Sequence, residues 1–371
     1  MNKALSSIQP SATLAIAARA NRLKAEGKKV CNFSIGEPDF NTPEPAKAAC
    51  MDSIAKNQTR YTPINGVAAL CESIAKKLKA ENGLSYDPSQ IIVSCGAKHS
   101  LGNAFLALLN PGDEVIIPAP YWLSYPEMVR IAGGVPKFVH ATEAAGLKIT
   151  PDQLEAAITP KSVALIMNSP SNPTGMVYTA AELKALADVC VKRNLWIVSD
   201  EIYERMVYDG AAFTSVGALS PEIFERTITI NGFSKSLAMT GWRIGYAAAP
   251  KAVITAMSTV QSHTSGPPAT FVQHACATSP AACEADIQKM VKVFAERRLR
   301  IVKLLTNIKG ITCVTPKGAF YVFPNISAFG LDSKAFAERL IDSQAVATVP
   351  GVSFGADAHI RLSYACSMDE I

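Results

Sequence analysis

The sequence predicts an α/β fold in which a large domain with a parallel sheet is accompanied by a smaller α+β domain. From about residue 90 onward, short β-rich segments alternate with amphipathic helical segments, a pattern typical of parallel sheets covered by helices on both faces. Polar residues follow these strands at their carboxyl ends. After about residue 285 the pattern changes to a long charged helix and then a short aromatic strand, which indicates the smaller domain.

Length and composition limit the classes of protein to which the chain can belong. Its 371 residues correspond to two or three domains, and 49% hydrophobic against 18% charged residues provides ample core material. The net charge of +5 is mild for this length, and no run of basic residues suggests a nucleic-acid surface. No apolar stretch reaches the roughly 18 residues that a membrane span needs. We therefore expect neither a nucleic-acid-binding protein nor a membrane protein.

The nine cysteines are an odd number and show no Cys-x-x-Cys spacing. This usage fits neither a disulfide framework nor a zinc site. Most of them lie in apolar segments, as small core residues do in a reducing compartment. We therefore predict a cytoplasmic protein whose site holds no metal.

The predicted elements follow one another in a regular order. A strand at 91–94 leads into a helix with Leu101, Phe105 and Leu108 on one face, and a turn at 110–113 ends that helix. The further strands of the large domain are predicted at 114–118, 163–168, 195–200 and 227–231. The remaining predicted elements are an amphipathic helix at 180–191, a long charged helix at 289–306 and a strand at 320–323.

Five places where a predicted strand ends carry unusual polar residues. These are Gly96-Ala97-Lys98, Tyr121-Trp122, Asn172, Asp200 with Tyr203, and Ser234-Lys235. Ligands of parallel α/β sheets bind beyond the carboxyl ends of the strands, where loops and helix amino termini converge. The five groups therefore predict a single site at this edge of the sheet.

Lys235 and Asp200 indicate the chemistry of the site. Taken alone, Lys235 could be a solvated loop lysine and Asp200 a helix cap. A lysine at the end of a buried strand is costly unless it is paired or neutral, for instance as an imine. A pyridoxal cofactor needs a lysine for its aldehyde and a carboxylate for its ring nitrogen, so the two residues together suggest this cofactor.

Several segments are similar to those of a known enzyme family. NSPSNPTG (168–175), SDEIYE (199–204) and SKSLAMTGWRIGY (234–246) resemble the class I/II aminotransferases of pyridoxal-phosphate fold type I. More narrowly, GEPDF (36–40), PAPYWLSY (118–125) and RLSY (361–364) resemble the bacterial-type aspartate aminotransferases. The resemblance extends from Pro10 to Met368.

The resemblance implies a mostly parallel seven-stranded sheet flanked by helices, with the smaller domain formed by both chain ends. It places an N-terminal arm and part of the small domain at 1–40, the large cofactor-binding domain at 41–285 and the C-terminal small domain at 286–371. It also implies a homodimer with shared active sites. Ser367 and Glu370 have the capping-box spacing that normally opens a helix, so we expect a terminal helix truncated at Ile371.

The resemblance further implies pyridoxal 5′-phosphate as the cofactor and assigns residues to each part of it. Lys235 would form the Schiff base and carry the proton between substrate Cα and cofactor, and Asp200 would hold the proton on the ring nitrogen. Asn172 and Tyr203 would bind the phenolate oxygen, with Trp122 stacked on the ring. The phosphate loop would comprise Gly96, Ala97, Lys98, Ser234, Arg243 and, from the partner subunit, Tyr61.

The same resemblance assigns the substrate contacts and the reaction. The α-carboxylate would be bound by Arg361 with Gly36 and Asn172, and the distal carboxylate by Lys98 with Thr13. Trp122 would also contact the substrate. The implied reaction transfers the amino group between L-aspartate and 2-oxoglutarate, giving oxaloacetate and L-glutamate. The alternative within the class is an aminotransferase for aromatic, alanine-like or prephenate substrates. Prephenate is in doubt because Gln9 stands where members that accept it often have lysine.

Alternatives from other classes remain open at the level of sequence. A pyridoxal-phosphate lyase on the same fold would release pyruvate and ammonia from a β-substituted alanine without a keto-acid acceptor. A cofactor-binding transcription regulator would need an amino-terminal helix-turn-helix domain, for which 1–30 is too short. The segment 351–355 spells Gly-x-Ser-x-Gly with His359 close by, but a serine hydrolase needs this motif between a strand and a helix.

Overall fold

The computed structural model describes residue 8 and residues 10–371, so that Gln9 lies outside the described residues. The helices are α1 (Ala12–Ala25), α2 (Glu44–Ala55), α3 (Ala68–Asn82), α4 (Ala97–Leu108), α5 (Ser124–Ile131), α6 (Pro151–Ala157), α7 (Ala180–Lys192), α8 (Pro221–Phe224), α9 (Lys251–Thr264), α10 (Thr270–Ala282), α11 (Glu284–Thr306) and α12 (Ser333–Gln344). The strands are β1 (Cys31–Asn32), β2 (Ile91–Ser94), β3 (Glu114–Ala119), β4 (Val135–His140), β5 (Ser162–Asn168), β6 (Trp196–Asp200), β7 (Thr227–Gly232), β8 (Gly245–Ala248), β9 (Tyr321–Val322), β10 (Val346–Ala347), β11 (Val349–Pro350) and β12 (Ile360–Ser363).

Seven strands form the main sheet, in the order β2-β8-β7-β6-β5-β3-β4. Neighbouring strands are parallel except at β8, which is antiparallel to both β2 and β7. The central strand β7 is buried along its whole length, as expected of a strand with helices on both faces. The predicted α/β fold with a mostly parallel, seven-stranded sheet is confirmed.

The local sequence pattern identifies β2, β3, β5, β6 and β7 to within one residue at each end. It does not identify β4 and β8. β4 is an edge strand that contains Pro136 and ends in exposed residues. Three of the four residues of β8 are Gly245 and two alanines, which have a weak strand preference. Both strands owe their conformation to pairing with their neighbours rather than to their own residues.

Successive residues of the strands face opposite layers of helices. On one face, Ile92 and Val198 pack in a cluster with Phe105 and other residues of α4, α5 and α9. On the opposite face, Val93 packs with residues of α3 and α10, and Ile197 packs with residues of α6 and α7. Helices therefore cover both faces, and the ends of the strands are left for polar side chains.

Two smaller sheets combine segments that are distant in the sequence. β11, β12 and β9 form an antiparallel sheet, and β1 pairs in parallel with β10. A further core cluster joins β9 and β12 to α11 through residues such as Phe294. α11 begins at Glu284, five residues before the predicted start at 289. The domain boundaries after 40 and after 285 stay a prediction.

Two motifs near the carboxyl end adopt local structure of their own. The amide of Glu370 donates to Ser367 Oγ at 3.2 Å, which is the contact expected of a capping residue. Gly351–Phe354 forms a short 3₁₀ turn after β11, and His359 bonds the Glu143 carboxylate at 2.7 Å. The strand, turn and helix of a hydrolase elbow are therefore not formed at this motif. Within residues 8 and 10–371, no helix has the length and apolar character to span a bilayer.

Candidate active site

The carboxyl ends of β5, β6 and β7 open into a cleft of about 570 Å³, which α4 and β12 also border. Twelve of the fourteen residues predicted for the site line this cleft: Thr13, Gly36, Ala97, Lys98, Trp122, Asn172, Asp200, Tyr203, Ser234, Lys235, Arg243 and Arg361. Gly96 lies next to it, with its α-carbon facing the Arg243 guanidinium. Tyr61 is fully exposed and lies outside the cleft.

Lys235 lies three residues beyond β7, where the chain leaves the sheet. Its Nζ donates to the carbonyl of Gly36 at 2.6 Å and is 5.9 Å from the centre of the Tyr203 ring. Desolvation in the cleft lowers the pKa of Lys235 to about 8, although the nearby Glu37 carboxylate opposes this shift. An appreciable fraction of the side chain is therefore neutral near pH 8, and the neutral amine is the nucleophilic form.

Asp200 is the last residue of β6 and is buried. Burial raises the pKa of its carboxyl group to about 6, while hydrogen bonds from Tyr125 and the Ile202 amide limit the shift. The Tyr125 hydroxyl donates to Asp200 Oδ2 at 2.7 Å, and the Asn168 side chain donates to the Asp200 carbonyl at 2.9 Å. The carboxylate is thus held in one orientation in a setting of low polarity, where its charge acts strongly on a neighbouring cation.

Arg361 is a buried arginine on β12. Its Nη1 donates to Asn172 Oδ1 at 3.1 Å, and its Nη2 donates to the carbonyl of Ser34 at 2.7 Å. The guanidinium also lies over the ring of Tyr321, at 4.6 Å from its centre. Desolvation lowers the pKa of Arg361, yet an arginine stays charged at any physiological pH. A buried cation whose partners are mostly neutral is suited to binding a carboxylate from outside.

The amino terminus of α4 lies against Arg243. Gly96 precedes the helix with a φ of 87°, a conformation that favours glycine. A Cβ at Gly96 would lie 2.6 Å from Arg243 Nη2, and a Cβ at Gly245 would lie 2.3 Å from the Ala97 nitrogen. Arg243 donates to the Thr240 carbonyl at 2.8 Å, which holds its side chain at this helix terminus. The free backbone N–H groups of the first turn and this guanidinium fit a phosphate.

Lys98, the second residue of α4, and Thr13, on α1, also line the cleft. The Lys98 Nζ lies 4.9 Å from the centre of the Trp122 ring, a cation–π contact. Desolvation and, to a smaller extent, the positive charge of Arg243 lower the pKa of Lys98. Lys98 therefore adds a further cation to the cleft, beside Lys235 and Arg243 and on a different element from Arg361.

Three residues of the site were not predicted from the sequence: Tyr125, Asn168 and Tyr321. Tyr125 and Asn168 hold Asp200, and both lie within segments that carry the family resemblance, so their positions gave a usable signal. The Tyr321 hydroxyl lies 2.8 Å from the Tyr203 hydroxyl. Tyr321 belongs to an apolar strand whose sequence indicates only a core position.

The fold and the site define a pyridoxal-phosphate-dependent enzyme of the aminotransferase class. The chain belongs to the family "Aminotransferase class I and II", whose model matches residues 28–371. It is similar to the "Aspartate aminotransferase" of Geobacillus stearothermophilus, with 48% identity over 100% of this chain and 95% of the relative. It is also similar to the "Aspartate/prephenate aminotransferase" of Cereibacter sphaeroides, with 44% identity over 100% and 95%.

Solved structures show the same relationship. The aspartate aminotransferase of Rhizobium meliloti has a TM-score of 0.96 and 40% identity, covering 100% of this chain and 95% of that chain. The aspartate aminotransferase of Thermus thermophilus with maleate has a TM-score of 0.96 and 43% identity, covering 100% and 96%. The similarity therefore includes every element that forms the cleft.

Pyridoxal 5′-phosphate is the cofactor of this protein, as of its family. The residues of the cleft fit each of its polar groups. Lys235 offers a partly neutral amine, Asp200 a buried carboxylate, and the Gly96 cradle with Arg243 a place for a dianion. The volume of about 570 Å³ lies within the range typical of cofactor sites.

Proposed function

We propose that the protein transfers the amino group between L-aspartate and 2-oxoglutarate, giving oxaloacetate and L-glutamate. The observation that carries the proposal is the presence of Lys235, Asp200 and Arg361 in one cleft, with Lys98 as a further cation. Relatives named aspartate aminotransferase, at 46–48% identity over nearly the whole chain, support the same substrate. Both amino acids and both keto acids of this reaction are dicarboxylates, so one pair of cations serves all four.

The residues at the sheet edge hold the cofactor and tune it. When bound, pyridoxal 5′-phosphate supplies an aldehyde that takes up the amino group and a protonated ring that withdraws electrons from the substrate Cα–H bond. Asp200 would keep the proton on the ring nitrogen, and Asn172 and Tyr203 would bind the phenolate oxygen. Ala97, Gly96, Ser234 and Arg243 would hold the phosphate, and Trp122 would cover the ring.

Lys235 would act as the general base and acid of the reaction. Its lowered pKa, about 8, brings the amine close to the pH at which it works. A base performs best when its pKa lies near the operating pH, because it is then both available and strong enough. The Nζ would remove the proton from substrate Cα and return it on the carbon of the cofactor, while Gly36 holds the amine by its carbonyl.

Arg361 and Lys98 would position the substrate by its two ends. The Arg361 fork would bind the α-carboxylate, replacing part of its contact with the neutral Ser34 carbonyl. Gly36 and Asn172 would complete this end of the pocket. Lys98, with Thr13, would bind the distal carboxylate. A substrate gripped at both ends presents its Cα–H bond to Lys235 in a fixed orientation.

We also propose that the protein is a homodimer with shared active sites. Tyr61 is fully exposed, and Met51 and Ile54 are large apolar side chains that are 63% and 48% exposed. Met51 and Ile54 are three residues apart on α2 and so share a face of that helix, and exposed apolar side chains on one face are typical of an interface. In a dimer, Tyr61 would reach the phosphate of the partner's cofactor. A cytoplasmic location stays a prediction.

The visible spectrum of the purified protein tests the proposed function. The yellow colour of the cofactor-loaded protein should fade when L-aspartate is added and return when 2-oxoglutarate follows. Lys235→Ala should abolish both changes, because no amine remains to move the proton. A lyase would instead release pyruvate from β-chloroalanine without any keto acid, and that outcome would contradict the proposal.

A second amino acceptor, prephenate, is favoured by one observation: relatives of 41% and 44% identity are named "Aspartate/prephenate aminotransferase". Prephenate carries two carboxylates, like the substrates above. The test is to supply the aspartate-treated protein with prephenate in place of 2-oxoglutarate and to follow the return of colour. A return at a comparable rate would establish the second activity, and no return would restrict the protein to 2-oxoglutarate.

A further inference from the structure

Tyr321 lies between the two functional ends of the proposed site. Its hydroxyl is 2.8 Å from the Tyr203 hydroxyl, and its ring centre is 4.6 Å from the Arg361 guanidinium carbon. Tyr321 is 1% exposed and Tyr203 is 4% exposed, so both side chains are buried. The proposed function gives Tyr203 and Arg361 roles toward cofactor and substrate but leaves Tyr321 without one.

Strand pairing places Tyr321 beside Arg361. In the antiparallel pair of β9 and β12, Tyr321 lies opposite Ser363, two residues from Arg361. Side chains two residues apart on a strand share a face, so Tyr321 and Arg361 are diagonal neighbours. The Tyr321 side chain also lies close to Gly36, since a Cβ at Gly36 would lie 2.8 Å from the Tyr321 hydroxyl. The ring is therefore fixed from both sides.

Only one direction of the hydrogen bond between the two tyrosines leaves the Tyr203 proton available to the cleft. A phenol has a single proton to donate. If Tyr203 donates to Tyr321, the Tyr203 proton is no longer available to the cleft. Within the described part of the chain, the Tyr321 hydroxyl has no other hydrogen-bond partner, so it can donate to Tyr203 without losing a contact. That direction frees the Tyr203 proton, and donation in series strengthens each bond.

We propose that Tyr321 is a positioning residue with two actions: its hydroxyl donates to Tyr203 and directs the Tyr203 proton into the cleft, and its ring supports the Arg361 guanidinium. The proposal rests on the proposed function, because it concerns the donor to the cofactor oxygen and the binder of the substrate carboxylate. It couples the two ends of the site through one buried side chain.

The first test separates the hydroxyl from the ring. Tyr321→Phe keeps the ring, so it should raise the pH midpoint of the holoenzyme's colour change by about half a pH unit. When Tyr203 donates its proton in a hydrogen bond to the cofactor oxygen, protonation of the nearby Lys235 nitrogen becomes less favourable. Without the Tyr321 hydroxyl, Tyr203 is a weaker donor, so protonation of Lys235 becomes more favourable and the midpoint rises. Tyr364→Phe is the matched control, because its buried hydroxyl donates to the Ala319 carbonyl at 3.1 Å, in the same core cluster. It should leave the midpoint unchanged.

The second test measures the ring. Succinate, a dicarboxylate without an amino group, is titrated into the wild type, Tyr321→Phe and Tyr321→Leu by calorimetry. The Phe variant should bind succinate within about twofold of the wild type, since the ring remains beneath the guanidinium. The Leu variant should bind about tenfold more weakly, because a cation–π contact of a desolvated arginine is lost.

Each result either supports or overturns the proposal. In a Tyr203→Phe background, Tyr321→Phe should add no further shift of the midpoint, because the hydroxyl acts only through Tyr203. Identical behaviour of Tyr321→Phe and Tyr364→Phe, or equal succinate binding by the Phe and Leu variants, would overturn the role of Tyr321 while the proposed function stands. A wild type that takes up no pyridoxal 5′-phosphate would overturn both.

Discussion

At the scale of residues, burial governs what the charged groups of the cleft can do. Desolvation raises the pKa of Asp200 to about 6 and lowers that of Lys235 to about 8, so the two values approach each other from opposite sides. Neither group would show this shift on the surface. Between these values Asp200 is ionised and the amine can exchange its proton, which is the combination that the proposed reaction needs at neutral pH.

The first prediction concerns the charge of Asp200. Asp200→Asn keeps the size of the side chain and an oxygen for the Tyr125 hydroxyl, but it removes the negative charge that would hold the ring proton. We expect kcat with aspartate and 2-oxoglutarate to fall by about 10²–10³-fold, the range found when a preorganised electrostatic contact is removed. Steady-state kinetics of the holoenzyme measure it.

A stability measurement provides the control for this variant. The pKa of Asp200 is higher in the folded protein than in the unfolded chain, so the folded form binds its proton more tightly. The stabilisation that comes from this tighter proton binding is fully present below about pH 4, the pKa of the carboxyl group in the unfolded chain, and it is lost as the pH rises through about 6. At pH 8 the apoprotein of Asp200→Asn should therefore be at least as stable as the wild type. A lower Tm would mean that the loss of activity reflects unfolding.

Lys235, Asp200 and Tyr321 show which residues of the site can be predicted from the sequence and which cannot. Lys235 and Asp200 could be predicted because a charged side chain at the end of a buried strand conflicts with its surroundings, and that conflict is visible in the sequence. Tyr321 shows no such conflict, because an aromatic residue in an apolar strand satisfies every local rule. Its contact with Tyr203 depends on the pairing of β9 with β12, which only the three-dimensional structure provides.

At the scale of elements, the strand β8 and the start of α4 form one packing unit. β8 reverses direction within an otherwise parallel sheet, and its first residue, Gly245, pairs with both Gly232 and Ser94. The absence of a side chain at Gly245 lets the backbone of Gly96 and Ala97 lie directly against the strand. The position of the proposed phosphate site is therefore set by a backbone contact between two elements.

The second prediction tests this contact. A Cβ at Gly245 would lie 2.3 Å from the Ala97 nitrogen and 2.7 Å from the Gly96 carbonyl carbon, so Gly245→Ala must displace the first turn of α4. Overpacking of this kind costs about 1–3 kcal/mol, which corresponds to a roughly 10- to 100-fold weaker binding of pyridoxal 5′-phosphate if the site bears the strain. Titration of the apoprotein with the cofactor measures the affinity.

Gly241→Ala is the matched control for this substitution. Gly241 lies in the same segment, but no atom is within 4 Å of its Cβ position. Its affinity for the cofactor should equal that of the wild type. Equal affinities for both variants would show that the backbone contact at Gly245 does not position the phosphate site.

At the scale of the whole molecule, the cleft lies where the main sheet meets the small antiparallel sheet. Lys235 and Asp200 follow strands of the first, whereas Arg361 belongs to β12 of the second. An ion pair between the buried Arg297 of α11 and the solvent-accessible Asp39, whose shorter contact is 2.6 Å, anchors the segment whose Gly36 carbonyl accepts from Lys235. Substrate binding would therefore involve both sheets at once.

The position of Tyr61 relates the proposed site to a second copy of the chain. It carries part of the family resemblance, yet it is fully exposed and lies outside the cleft of its own chain. If Tyr61 contributes to a site, as the family resemblance implies, it must do so from a second copy of the chain. We therefore propose that each site of the dimer contains Lys235 from one protomer and Tyr61 from the other.

The last prediction tests that claim by mixing two inactive or impaired variants, Lys235→Ala and Tyr61→Ala. In a mixed dimer with twofold symmetry, one site receives both substitutions and the other receives neither. An equimolar mixture in which half the dimers are mixed should regain about a quarter of wild-type activity, since one site in each of those dimers is intact. If Lys235 and Tyr61 of one site belonged to the same protomer, no intact site would form and activity would stay at the average of the two variants. Refolding the variants together, with each refolded alone as control, distinguishes the two arrangements by initial rates.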